Sequence, residues 1–193
     1  MRIFVEYNCG TTKALLRLAF PDAEFTNVAE RAELIIFTGG EDVSPSLYKH
    51  PNIASGCNRT RDDNCIKIWD DGIANGAKFM GICRGAQFVN VMLGGTMWQH
   101  IGTHPYLHTT DTGLQINSTH HQGIVPNECL GEILHRPSFD HAAVTPDGVI
   151  RGVRNVESFR NEDCFCVQWH PEFMKEDCAA VQWWIIKAQE LMK

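Results

Sequence analysis

The segment Phe79-Met80-Gly81-Ile82-Cys83-Arg84-Gly85-Ala86-Gln87 constrains this chain more than any other. A short apolar run enters G-x-C-x-G, and apolar residues at helical spacing (Phe88, Val91, Met92) follow it up to Gly94-Gly95. Strand, sharp turn and helix in that order make a nucleophile elbow, here with a cysteine at its tip. Such a turn needs small residues on both sides, and Gly81 and Gly85 supply them. The helix starts just after Cys83, so its positive end favours a thiolate. The backbone N–H of Arg84 is left free to bind an oxyanion. A buried cysteine between two turn glycines is the plainer alternative while the segment is taken alone.

The elbow sits in an alternating pattern. Residues 3–7 read as a strand, 12–20 as a helix stopping before Pro21, and Leu34–Phe37 as a strand closed by Gly39-Gly40. Four consecutive apolar residues suit a strand covered on both faces of a parallel sheet. Residues 44–64 are rich in Pro, Asn, Ser and Gly and read as loop, and 65–75 read as a helix. Residues 79–82 and 85–93 are the strand and helix of the elbow. Residues 101–114 read as loop. Short strands are expected at 116–118, 132–134, 149–153 and 165–169. Residues 175–192 read as an amphipathic helix with Val181, Trp184, Ile185, Ala188 and Met192 on one stripe. Trp183 falls off that stripe and is expected to be half-buried or to touch a partner. The pattern predicts an α/β sandwich with a mixed sheet. No linker divides residues 1–193, so one domain is expected.

Bulk properties narrow the function. A formal net charge of −6 argues against nucleic acid or an anionic membrane as the main partner. The N-terminus reads as a strand rather than a signal peptide, and no run is long enough to span a bilayer, so a cytoplasmic protein is expected. None of the eight cysteines forms a CxxC pair, which disfavours a zinc ribbon or a thioredoxin-like site. Cys164 and Cys166 are expected on one face of a strand as buried thiols. His100, His104 and His108 are spaced by four, but Gly102 and Pro105 disfavour a helix there. No metal and no cofactor are expected.

A partner for the elbow stands near the C-terminus, in Val167-Gln168-Trp169-His170-Pro171-Glu172. A thiol nucleophile needs a base, and histidine titrates in the right range. The base needs a third group to fix its tautomer. Glu172 lies two residues on, and at extended spacing both side chains would point the same way. Cys83, His170 and Glu172 are thus the candidate triad. A second oxyanion donor should come from the loop after a neighbouring strand, and Thr38-Gly39-Gly40-Glu41 follows Leu34–Phe37.

Together these pieces resemble the class I glutamine amidotransferase superfamily. The match is closest to its peptidase C26 branch, which includes γ-glutamyl-γ-aminobutyrate hydrolases. Gly39-Gly40-Glu41-Asp42-Val43-Ser44-Pro45 with Tyr48, Arg61-Asp62, and the elbow with Asn90 and Gly94-Gly95-Thr96 carry the resemblance. Asn117-Ser118-Thr119-His120-His121-Gln122, Asp147-Gly148 and Gln168-Trp169-His170-Pro171-Glu172 continue it in order. The resemblance implies one three-layer αβα sandwich of flavodoxin-like type, with a mostly parallel mixed sheet. It implies hydrolysis of a γ-glutamyl amide through a glutamyl thioester on Cys83, with His170 as base. Gly40 and Arg84 would supply backbone N–H groups to the oxyanion, Gln87 would hold the glutamyl group, and His120, His121 and Gln122 would line the pocket. Cys65 departs from the pattern, standing where an acid is usual, and the stretch before Leu34 is shorter than in the typical hydrolase.

Three functional classes follow. One is a stand-alone hydrolase acting on a small γ-glutamyl substrate. A second is a glutaminase subunit delivering ammonia to a synthetase partner. A third is a non-catalytic binding relative. A homodimer is open in each case.

Overall fold

In the computed structural model, which describes residues 1–102 and 105–193, a seven-stranded sheet forms the middle layer. Strands Arg2–Val5 (β1), Glu24–Thr26 (β2), Leu34–Phe37 (β3) and Lys78–Ile82 (β4) run parallel in the spatial order β2-β1-β3-β4. Cys164–Val167 adds to β4 in parallel. Ser158–Arg160 and Glu132–His135 close that edge through antiparallel pairings.

The apolar run of β3 is explained by its two covered faces. Ile35 and Phe37 pack with Trp69, Phe79, Ala86 and Phe88, under helices Arg59–Ala74 (α2) and Arg84–Met92 (α3). Leu34 and Ile36 pack with Leu15, Leu16, Val181 and Trp184, from helices Gly10–Ala19 (α1) and Ala179–Leu191 (α4). The result is a three-layer αβα sandwich with a flavodoxin-like, mostly parallel sheet. Cys164 and Cys166 point to the first layer and Phe165 and Val167 to the second, so the two thiols do share a face. Burial pushes the Cys164 thiol up to about 12 and the Cys166 thiol well above its usual value. All eight cysteines are free thiols.

Several boundaries differ from the sequence expectation, each for a local reason. The loop expected at 44–64 holds a 3-10 turn at Pro45–Tyr48 and the start of α2 at Arg59. Asn58 caps that helix by accepting from the Arg61 N–H at 3.2 Å. Its first turn is polar because Arg61 and Asp62 are buried against ionic partners, and polar composition reads as loop. The loop expected at 101–114 contains strand Leu107–Thr109, paired with Gln115–Asn117, and its first residue ends strand His100–Ile101. The final helix begins at Ala179, because a turn closed by the Cys178 N–H on the Lys175 carbonyl precedes it. Trp183 is half-buried against His135 and Phe165. Among the described residues, no helix is long and apolar enough to cross a membrane.

Candidate active site

β4 delivers Cys83 to the carboxyl edge of the sheet, where the backbone turns sharply. Cys83 has φ 54° and ψ −113°, a strained conformation for a non-glycine residue. A Cβ on Gly85 would lie 2.0 Å from the Phe37 carbonyl oxygen, and one on Gly81 would lie 2.5 Å from the Ala86 nitrogen. Only glycine lets α3 start this close to the sheet. The helix begins at Arg84, which places its positive end beside the thiol.

His170 follows Cys164–Val167 and is held by its own backbone. Asn117 Nδ2 donates to the His170 carbonyl at 2.9 Å, and the His170 N–H donates to Asn117 Oδ1 at 2.8 Å. His170 Nδ1 donates to Glu172 Oε1 at 2.8 Å, with both side chains buried. The two side chains meet across a 3-10 turn, Pro171–Phe173, rather than along an extended strand as the spacing suggested. Burial lowers the His170 pKa, but hydrogen bonding and charge from Cys83 and Glu172 outweigh it and raise it to about 10. With Nδ1 committed to Glu172, Nε2 is the ring nitrogen left for another partner. Phe173, largely exposed, stacks on the imidazole with ring centroids 5.1 Å apart.

The Thr38–Glu41 loop closes over the pair. A Cβ on Gly39 would fall 2.8 Å from His170 Cε1 and 3.6 Å from Cys83 Cβ. Gly40 has φ 143° and sits against the Arg61 guanidinium. Arg84 extends its side chain away from the elbow, to Asp62 at 2.5 Å and to Cys65 Sγ at 3.2 Å.

The remaining candidates surround this centre in different ways. Gln87 is buried, and its Nε2 donates to Gln168 Oε1 at 3.1 Å. Gln122 donates to Ser55 Oγ at 2.6 Å. His121 is half-exposed and pairs with Asp42 at 3.0 Å. His120 turns inward: Nδ1 donates to the Gln122 carbonyl at 2.7 Å, and Nε2 lies 3.7 Å from Glu157. Among the described residues no cluster of three or more His, Cys, Asp or Glu side chains is placed to hold a metal ion. His104 lies outside the described residues.

Three residues with a structural claim on the site escaped the sequence reading. Asn117 was visible as part of a motif, but not as the clamp on the His170 backbone. Glu157 is fully buried between His108 and His120. Glu6, at the end of β1, reaches residues 55 and 59 positions downstream, which no local pattern signals.

The sheet order, the elbow and the loop over it define a class I glutamine amidotransferase fold. The chain belongs to the peptidase C26 family, whose model matches residues 4–112 and 106–172. Protein NtpR of Enterococcus hirae is 28% identical over 165 residues, covering 74% of this chain and 68% of that protein. A Lactococcus lactis relative carrying the name glutamine amidotransferase-like protein YvdE is 28% identical, covering 76% and 68%. A glutamine amidotransferase structure from Thermotoga maritima superposes with TM-score 0.55 at 13% identity, covering 98% of this chain and 82% of that one. Family membership places the protein among glutamine-amidotransferase-type hydrolases.

Proposed function

We propose that the protein is a cysteine hydrolase that cleaves a γ-glutamyl amide through a glutamyl thioester. The observation that carries this reading is the strained Cys83 at a helix start, with His170 locked by Glu172 beside it. Cys83 Sγ would attack the γ-carbonyl carbon with the thiol proton already passed to His170. The tetrahedral oxyanion would meet the Gly40 and Arg84 N–H groups. Collapse breaks the C–N bond, and His170 passes its proton to the departing amine. Water then attacks the thioester with His170 as base, releasing glutamate and restoring the thiol. Gln87, His120, His121 and Gln122 are proposed to shape the glutamyl pocket, His120 indirectly through the Gln122 carbonyl.

Glutamate release from a panel of γ-glutamyl amines tests this reading. Turnover is expected for at least one amine and its loss in Cys83→Ala. In the free enzyme the His170 imidazolium should persist until pH passes about 10, so the basic limb of kcat/KM should lie there. No glutamate from any member would sink the hydrolase reading. Ammonia from glutamine, alone and stimulated by a synthetase, would favour the glutaminase reading instead.

A further inference from the structure

We propose that Glu6 is a positioning residue that sets both oxyanion donors, a role resting on the hydrolase reading above. Glu6 is buried at the end of β1 and touches neither Cys83 nor His170 in any hydrogen bond of the described structure. Its carboxylate is instead the junction between the loop over the site and the helix behind it. Oε2 accepts from the Thr38 N–H at 2.9 Å and from Thr38 Oγ1 at 3.3 Å. Oε1 accepts from Arg61 Nε at 2.8 Å and from the Cys65 thiol at 3.0 Å.

Arg61 carries that anchoring along the loop. Its Nη2 donates to the Thr38 and Gly39 carbonyls at 3.2 and 2.9 Å, and its Nη1 donates to Glu41 at 2.8 Å. A Cβ on Gly40 would lie 2.0 Å from Nη1, so the end of the guanidinium abuts the residue whose N–H is the first donor. Four consecutive residues thus rest on one side chain whose only buried carboxylate partner among the described residues is Glu6; Glu41 is about half exposed.

The second donor is reached through Cys65. Its sulfur lies 3.0 Å from Glu6 and 3.2 Å from Arg84, whose backbone N–H is that donor. Burial and the Glu6 carboxylate push the thiol up to about 12, so it stays protonated and donates. Arg61, Asp62 and Cys65 share one face of α2 at helical spacing. A carboxylate at position 65 could reach the same two arginines. In this chain the helix supplies a thiol there, and Glu6 brings the charge from another element.

The test moves the charge. Hydrolysis of γ-glutamyl-p-nitroanilide is measured for wild type, Glu6→Gln and Glu6→Gln/Cys65→Glu. Amide hydrogen exchange at Gly39, Gly40 and Arg84 is followed on the same proteins. Glu6→Gln is expected to lower kcat about 10–100-fold with KM changed less than about threefold, because the lost interaction is made in the transition state. Exchange at the three amides should rise about tenfold. The double variant should recover most of both. A folded Glu6→Gln with wild-type kcat and exchange overturns the proposal, as does a double variant no better than the single. If Glu6→Gln does not fold, Glu6→Asp carries the same test, since it keeps the charge but withdraws it from Thr38. If wild type releases no glutamate from any γ-glutamyl amine, the hydrolase reading fails, while exchange still decides whether Glu6 holds the loop.

Discussion

The two buried ionic clusters near Cys83 and His170 use different cations. Behind the elbow, Arg61 and Arg84 pair with Glu6 and Asp62, and all four side chains are almost fully buried. Beyond Gln168, Glu157 is flanked by the imidazoles of His108 and His120 at 3.5 and 3.7 Å. Guanidinium is charged at every working pH, whereas imidazole can release its proton. The arginine side is therefore a fixed scaffold behind the Cys83 elbow and the Thr38–Glu41 loop. The histidine side, next to the Ser118–Gln122 segment, also holds the buried imidazoles of His135 and His141.

Breaking one pair on each side should separate them. Asp62→Asn removes the carboxylate paired with the buried Arg84 guanidinium, and should cost about 3–5 kcal/mol in urea unfolding. A loss below that of the histidine-side variant would contradict the scaffold role. Glu157→Gln should cost less, about 1–3 kcal/mol, because it leaves no guanidinium unpaired in the interior. An equal loss would contradict the difference between the two sides.

The smallest effect is the most discriminating. Burial lowers the pKa of His135 and His141, both on the Glu157 side, below the ordinary 6.5. Their stabilising contribution is complete above pH 6.5 and falls as pH drops below it. For Glu6 and Glu157, burial works to raise the pKa, but Arg61 and the two histidines respectively hold it below the ordinary 4.5. Those contributions persist above 4.5 and are lost as pH falls below it. Amide spectra taken from pH 7 to pH 5 should therefore show resonances around Glu157 shifting first, with those of Thr38–Glu41 unchanged. Simultaneous change would erase the distinction.

The same contrast explains what the sequence disclosed. His170 and Glu172 meet across a 3-10 turn instead of along an extended strand, while the β3 run and the two elbow glycines carry their meaning within a few residues and lie where local pattern put them. The interior charges do not. Glu6 acts on residues far along the chain, and Arg61-Asp62 look like loop residues until their partners are known. The histidine of the pair was legible, but Asn117, which fixes its backbone, was only a letter in a motif. The three-residue strands around 107–117 are too short to show a period.

The most direct test of the central claim is mass spectrometry of the protein after exposure to an electrophilic glutamine analogue such as 6-diazo-5-oxo-L-norleucine. Of eight free cysteines, Cys57 and Cys129 are exposed while Cys83 is buried. The account predicts one adduct, on Cys83, formed far faster than on the exposed thiols and suppressed by a competing γ-glutamyl amine. Labelling that follows exposure, with Cys57 and Cys129 modified first and Cys83 untouched, would contradict it.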